Sequence, residues 1–117
     1  MTRDPRAAAM SEAELMEHVR ALAAGLGLHA FHAADSRRSW GRGYPDLTIT
    51  GRGGVIWREC KTESGSLSAE QRQWGDALKR AGQNWRVWRP ADLLDGSIGR
   101  ELASLAAVQL ELFGGVS

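Results

Sequence analysis

Residues 46–61 read DLTITGRGGVIWRECK, and this stretch decides the fold of the 117-residue chain. Its two halves are rich in β-branched and apolar residues, and the segment 51–54 between them contains three glycines. Two such halves joined by a glycine-rich turn are typical of a β-hairpin. The stretch therefore predicts a strand over 46–50, a turn over 51–54 and a second strand over 55–61.

The hairpin also brings charged side chains together. Side chains alternate along a strand, so Glu59 and Lys61 project from one face while Cys60 points to the other. Asp46 opens the neighbouring strand, and the hairpin can bring it beside Glu59. Two carboxylates form a hard oxygen site suited to Mg²⁺ or Mn²⁺. Lys61 can then hold or activate a water next to that metal.

The segments on either side of the hairpin predict helices and two more strands. Ser11 and Ser68 are typical N-caps, and Gly25 and Gly82 are typical helix ends. Strands are predicted over 28–31 and 85–88, and a short last helix over about residues 98–107. The sequence therefore predicts an α/β fold in the order α-β-β-β-α-β, with a small mixed β-sheet flanked by helices.

Composition favours a single intracellular domain. A chain with 43% hydrophobic and 25% charged residues is typical of a globular protein, and we place the domain at residues 11–107. Residues 1–10 predict a disordered lead, and residues 108–117 predict a C-terminal tail. The single cysteine excludes an internal disulfide, and no stretch approaches the roughly 20 apolar residues of a membrane span. We therefore expect a cytoplasmic protein without a membrane partner.

The two longer predicted helices each carry one polar residue within an apolar stripe. Glu12 lies in the first stripe, with Leu15, Val19, Leu22 and Leu26. Gln71 lies in the second stripe, with Leu67, Trp74, Leu78 and Ala81. Two inward polar groups fit a shared polar site on the sheet. The alternatives are that Gln71 only caps its helix with Ser68 and that Glu12 lies in water.

Charge is distributed unevenly along the chain. The net charge is −2 over residues 1–35, +6 over residues 36–89 and −3 over residues 90–117. A basic middle is typical of a nucleic-acid-binding surface, although an arginine-rich face can also be simply solvated. Just before Asp46, we predict that DNA is contacted by Arg37, Arg38, Trp40 and Arg42. The arginines would bind phosphates and Trp40 would stack on an unpaired base; the alternative is a surface loop whose tryptophan packs on the core.

Three motifs follow one another along the chain. They are Gly43-Tyr44-Pro45-Asp46-Leu47, Glu59-Cys60-Lys61-Thr62-Glu63, and Leu67-Ser68-Ala69-Glu70-Gln71 with Trp74. In this order they resemble the virus-type replication-repair nuclease (VRR-NUC) family of the PD-(D/E)XK nuclease superfamily, in its stand-alone form. The resemblance extends over about residues 11–93, including Trp88-Arg89-Pro90. It implies a restriction-endonuclease-like core.

The resemblance also implies roles for individual residues. The metal, Mg²⁺ or Mn²⁺, would be bound by Asp46, Glu59 and the main-chain carbonyl of Cys60. Lys61 would orient the attacking water, and Gln71 would support that arrangement. Glu12 matches the glutamate of the family's first helix, with Glu14 as the alternative. The expected catalytic set is therefore Glu12, Asp46, Glu59, Lys61 and Gln71.

Stand-alone members of the family are similar to Holliday-junction resolvases and act as homodimers. The resemblance therefore implies a metal-dependent DNA endonuclease that cuts branched DNA, with a second copy of the chain as partner. Two alternatives stay open at this point. One is a non-catalytic DNA-binding or assembly module with a nuclease fold, and the other is a nickase or flap nuclease that uses the same site.

The predicted tail contains a second motif, Gln109-Leu110-Glu111-Leu112-Phe113. It resembles the short peptide with which bacterial replication and repair proteins bind the sliding clamp. Leucines and a terminal aromatic suit an apolar groove, and the contacts would be made by Gln109, Leu110, Leu112 and Phe113. The alternative is that these residues finish the last helix and pack on the domain.

Overall fold

The computed structural model describes residues 4–33 and 41–114, with side chains described as far as residue 107. The predicted α/β class is confirmed within these ranges. The elements in chain order are α1 (Pro5–Ala9), α2 (Glu12–Gly25), β1 (His29–His32), β2 (Leu47–Gly51), β3 (Gly54–Cys60), α3 (Ala69–Arg80), β4 (Asn84–Trp88), α4 (Pro90–Leu94) and α5 (Ser97–Gly114).

The strands of the described ranges form one mixed sheet in the order β1-β2-β3-β4. β2 pairs antiparallel with both β1 and β3, whereas β3 pairs parallel with β4. The β2–β3 pair follows from the short glycine-rich turn, and the parallel pair follows from the crossover through α3. Helices α2 and α5 pack on one face of the sheet and α3 packs on the other. The predicted mixed sheet flanked by helices is confirmed.

The core lies between the sheet and the helices α2 and α5. The strand residues that point into it are Leu47, Ile49, Ile56 and Cys60, and the helices contribute Leu15, Val19, Ala23, Ile98 and Leu102. We call this side of the sheet the core face and the other side the α3 face. Because Cys60 lies in the core, its neighbours Glu59 and Lys61 belong to the α3 face, as the alternation of side chains predicts.

The apolar stripe predicted for α2 is wrong in its second half. Leu22 and Leu26 are 38% and 41% exposed, and Ala23 is buried instead. The buried residues Leu15, Val19 and Ala23 follow one another at a spacing of four, which keeps them on one side of the helix. In α3, the predicted Ala81 is exposed and Gly75 is buried against Trp85. The buried positions are therefore occupied by the small residues Ala23 and Gly75, in place of the larger residues that were predicted.

The beginning of the chain is more ordered than predicted. Residues 5–9 form α1 where the sequence predicts a disordered lead, because Asp4 caps this helix and Pro5 occupies its first turn. Ala7 is 1% exposed, and α1 packs against α4. Helix α4 itself is not predicted: Pro90, which the sequence suggests ends β4, also starts this helix. The two short helices stabilise each other by apolar contact.

The last helix is longer than predicted. The backbone of residues 108–114 continues α5, so most of the predicted tail is helical. The side chains of the predicted clamp-binding residues, Gln109, Leu110, Leu112 and Phe113, lie outside the described side chains. The clamp contact therefore stays a prediction. Over the described ranges, α5 and the other helices are each too short or too polar to cross a membrane.

Arg58 is a fully buried cation on the core face. Its guanidinium donates to the main-chain oxygens of Trp57 and Asn84, each at 2.8 Å, and it forms an ion pair with Glu101 of α5. Its Cζ atom lies 5.1 Å from the ring centroid of Trp88. Burial lowers the pKa of Arg58 to about 10, which leaves it charged at neutral pH. The ion pair therefore ties α5 to the middle of the sheet.

We expect Arg58→Met to lower the free energy of unfolding by about 3–5 kcal/mol, because it leaves the Glu101 carboxylate without its partner. The double variant Arg58→Met/Glu101→Met should recover part of this loss, because it removes the unpaired charge as well. Urea unfolding followed by circular dichroism measures both changes. A double variant no more stable than the single one would show that lost packing, not the unpaired carboxylate, sets the loss.

Candidate active site

The register of the β2–β3 hairpin brings Asp46 and Glu59 together. Leu47 pairs with Arg58 across the two strands, so the next pair along is Asp46 and Glu59. Directly opposed residues share one face of a sheet, and here that face is the α3 face. The Asp46 carboxylate accepts a hydrogen bond of 2.8 Å from the main-chain N–H of Cys60, which fixes it at this position. The structure thus brings the two predicted carboxylates side by side.

Glu59 is buried against this second carboxyl group. Its side chain is 1% exposed, and its Oε2 atom has no hydrogen-bond partner among the described residues. Burial and the neighbouring Asp46 raise the pKa of Glu59 to about 9, with Glu12 adding to the effect and Lys61 opposing it. At neutral pH the Glu59 carboxyl therefore holds a proton next to the Asp46 carboxyl.

Gln71 has both of the roles that the sequence leaves open. Its Oε1 accepts a hydrogen bond of 2.8 Å from the main-chain N–H of Ser68, which completes the capping box of α3. Its Nε2 donates to Glu59 Oε1 at 3.1 Å. A single amide therefore starts the helix and holds the buried carboxyl, because the acceptor and the donor of the amide point in different directions.

The two glutamates at the start of α2 have different surroundings. Glu14 accepts a hydrogen bond of 3.1 Å from the main-chain N–H of Ser11 and completes the capping box of α2. Glu12 instead lies close enough to the buried site to add to the raised pKa of Glu59, after burial and Asp46. Of the two, Glu12 is the residue that the structure places near the site.

Lys61 comes directly after β3, and a loop anchored by Arg89 follows it. The main-chain N–H of Lys61 donates to the main-chain oxygen of Trp88 at 3.0 Å, and its ammonium opposes the raised pKa of Glu59. The Arg89 guanidinium donates to the main-chain oxygens of Thr62 at 2.6 Å and of Gly65 at 2.8 Å. These bonds fix the loop that joins Lys61 to α3. Both Lys61 and α3 contribute a side chain that acts on Glu59.

The turn that carries Asp46 packs tightly on α3. Gly43 has a φ of +82°, and a Cβ atom there would lie 2.5 Å from the main-chain carbon of Glu70 and 2.7 Å from the main-chain nitrogen of Gln71. Only glycine fits such a backbone conformation at so short a distance. The turn and the first residues of α3 are therefore in direct contact beside the site.

Tyr44 attaches the same turn to the sheet. Its hydroxyl accepts a hydrogen bond of 3.1 Å from Trp57 Nε1 and lies 3.1 Å from Thr48 Oγ1. Its ring meets that of Trp74 edge to face, with 5.0 Å between the centroids. Tyr44, Gly43 and Arg89 are not among the residues predicted from the sequence, although all three lie in the quoted motifs. Gly43 and Tyr44 come shortly before Asp46, and Arg89 comes directly after Trp88. This proximity in the sequence is the signal that could have identified them.

The site fits a divalent cation. The Glu59 oxygen without a partner and the adjacent Asp46 carboxyl are hard donors, the kind that Mg²⁺ and Mn²⁺ take in proteins. In the described ranges no three His, Cys, Asp or Glu side chains are grouped to hold a metal ion. The ligands would thus be these two carboxylates, the predicted carbonyl of Cys60 and water. Such a set suits Mg²⁺, which often binds through one or two carboxylates and keeps several waters.

The predicted DNA-binding residues are only partly described. Arg37, Arg38 and Trp40 lie outside the described residues, and their contact with DNA stays a prediction. Arg42 is described, and it is exposed in the turn just before Asp46. It stands four residues before Asp46 in the chain, and its predicted contact with phosphate stays a prediction.

Comparison with known proteins adds no match to these observations. No model of a known protein family, no curated protein and no solved structure matches this chain. We therefore infer its function from the geometry of the site together with the motifs that form it.

The raised pKa of Glu59 predicts how stability depends on pH in the absence of divalent cations. A folded-state pKa of about 9 lies above the ordinary value of 4.5, so this stability is fully present below about pH 4.5 and is lost as the pH rises towards 9. The slope for one proton is at most about 1.4 kcal/mol per pH unit. We expect Glu59→Gln to remove this slope between pH 5 and pH 8, as urea unfolding in EDTA would measure, whereas the exposed Glu17→Gln should keep it. A wild-type slope that survives in Glu59→Gln would contradict the assignment.

Gly43 provides a test of the contact between the turn and α3. Gly82 has a similar φ of +77°, but a Cβ atom there would meet nothing within 4 Å. Both Gly43→Ala and Gly82→Ala should suffer the strain of a left-handed conformation, about 1–2 kcal/mol. Only Gly43→Ala should also weaken Mn²⁺ binding, because the turn must move away from Gln71 and take Asp46 with it. Isothermal titration calorimetry measures this binding, and equal Mn²⁺ affinities in the two variants would contradict the role of the turn.

Proposed function

We propose that this chain is a divalent-cation-dependent DNA endonuclease that hydrolyses phosphodiesters in branched DNA. The observation that carries the proposal is the pair of carboxyls, Asp46 and buried Glu59, with one Glu59 oxygen free of partners among the described residues. The order of the motifs supports the assignment to the VRR-NUC family and to a restriction-endonuclease-like core. The four-stranded mixed sheet between helices is compatible with that core.

The burial of Glu59 next to Asp46 lowers the stability of the fold. A carboxyl group buried next to a second carboxyl is stable only when it keeps its proton, and this destabilises the chain as the pH rises. Asp46 and Glu59 would hold a divalent cation, whose positive charge would remove this penalty. When bound, it would polarise a phosphoryl oxygen of the substrate and favour a hydroxide as nucleophile. We therefore read the pair as a ligand set and not as a structural element.

The other residues of the site act on the carboxyls and on water. Glu59 has to give up its proton before both carboxylates can serve as ligands, and the donor of Gln71 holds it in place meanwhile. The ammonium of Lys61 is near enough to orient a water beside the scissile phosphate. Attack of the water oxygen on phosphorus breaks the bond to the 3′-oxygen, which leaves a 3′-hydroxyl and a 5′-phosphate. Glu12 adds a further carboxylate at the edge of the site.

The substrate and the partners belong to the same proposal. The family resemblance supports branched DNA as substrate and a homodimer as the acting unit, and the single cysteine supports the cytoplasm as its location. The exposed Arg42 beside Asp46 supports a nucleic-acid substrate. A non-catalytic DNA-binding module is less well supported, because an acidic pair beside a phosphate-binding surface contributes nothing to phosphate binding unless a cation is held there.

We expect the purified chain to nick four-way junctions with Mg²⁺ or Mn²⁺ and not with EDTA. Asp46→Asn and Lys61→Ala should each lower the cleavage rate at least about a hundredfold, because they remove a ligand and the residue that orients the water. Flaps, splayed arms, linear duplex and single strands, run on the same denaturing gels, define the preferred DNA structure.

The chain offers matched controls for these variants. Asp76→Asn changes an exposed aspartate of α3, and Lys79→Ala changes the other lysine of the chain, so both should cleave like the wild type. Cleavage of flaps or linear DNA instead of junctions would keep the chemistry and change the substrate. Tight junction binding without cleavage under any cation would instead identify the non-catalytic binding module.

A further inference from the structure

The α3 face of the sheet continues from the acidic pair onto the edge strand β1. The main-chain N–H of Ala33 donates to the main-chain oxygen of Asp46 at 3.0 Å, so β1 runs directly beside the strand that carries Asp46. The next row on this face, two residues further along the strands, contains Phe31, Thr48, Trp57 and Trp85. Phe31 is therefore one strand and one row from Asp46, roughly 8 Å between Cα atoms by strand geometry.

The aromatic side chains of this row differ in how they are covered. Trp85 lies under α3 at Gly75, and Trp57 donates its indole N–H to Tyr44. Phe31, at the β1 end of the row, is 63% exposed, which is the highest value among the large apolar side chains described. The row thus ends in an open aromatic ring on the same face as the acidic pair.

We propose that Phe31 forms a stacking subsite for an unpaired DNA base next to the scissile phosphate. This inference rests on the proposed nuclease function and deepens it, because it defines the substrate as DNA with an unpaired nucleotide at the cut. Exposed aromatic rings on a sheet bind single strands by stacking on successive bases. Phe31 is placed so that a base can reach it while a neighbouring phosphate lies at Asp46.

The surroundings of Phe31 favour a nucleic acid strand as its occupant. His29 on β1 and Thr50 on β2 share the face with Phe31 and form a pair directly opposite each other. Strand β1 and residues 47–51 of β2 contain no acidic residue, so these described strands present no carboxylate to a DNA backbone between Phe31 and Asp46. Arg52 is exposed in the turn at the far end of β2, and Arg42 is exposed near Asp46. Arginines in the segments on either side of this acid-free stretch complement a phosphate backbone.

The test compares single-stranded with duplex DNA. We would measure the fluorescence anisotropy of a fluorescein-labelled single strand and of a blunt duplex of the same sequence. Both measurements are made in EDTA, which prevents metal-dependent cleavage during binding. We expect Phe31→Ala to weaken single-strand binding about tenfold and to leave duplex binding unchanged, because stacking on one base is lost. Phe31→Tyr should bind like the wild type, because it keeps an aromatic ring. Leu26→Ala, which removes an exposed apolar side chain on α2, is the matched control and should bind both DNAs normally.

Other outcomes would overturn the subsite. Equal affinities of Phe31→Ala and wild type for the single strand would do so, as would equal losses on single strand and duplex. If light scattering shows a wild-type dimer and a Phe31→Ala monomer with unchanged single-strand binding per chain, this face is an interface between copies instead. Metal-dependent cleavage that persists in these cases leaves the nuclease function standing. Absence of both DNA binding and cleavage would remove the nuclease proposal and the subsite together.

Discussion

The register of the β2–β3 hairpin is the constraint on which the rest of the structure depends. With Leu47 opposite Arg58, Leu47 and Ile49 point into the core and Asp46 lies beside Glu59. A slip of one residue would turn every side chain of one strand to the other face. Asp46 would then enter the core and Leu47 would be exposed to α3. The packing of the core and the pairing of the two carboxyls are therefore set by the same backbone contacts.

The hairpin could be predicted because its signals are local. Alternating side chains, a glycine-rich turn and two serine caps each act over a few residues, and they place Glu59, Cys60 and Gln71 correctly. The inward position of Gln71 is predictable in the same way, since its place within the stripe of α3 follows from helix geometry alone. The two alternatives for Gln71, a helix cap or an inward polar group, are compatible. The amide oxygen accepts the capping hydrogen bond, and the amide nitrogen donates to Glu59.

The errors arise where contact between distant segments decides the structure. Helix α1 forms because Ala7 packs on α4, and no periodicity within five residues can show this. Ala23 and Gly75 are buried because another element approaches closely, whereas helix periodicity alone selects Leu22 and Ala81. Arg89 was overlooked for the same reason, because the main-chain oxygens that it binds are 24 to 27 residues away along the chain.

Arg58 and Glu59 are adjacent on β3 and are fully buried on opposite faces of the sheet. They differ in the groups that surround them. Arg58 meets the carboxylate of Glu101 and carbonyl oxygens, so its charge is balanced within the fold, although its Nε has no hydrogen-bond partner among the described residues. Glu59 meets Asp46, a group of its own kind, and one of its oxygens finds no partner in the described part of the chain. A neutral residue at position 59 would pack there at less cost. The fold thus balances a buried charge where it needs only stability, and the carboxyl that it leaves beside a second one is the feature on which the proposed cation site rests.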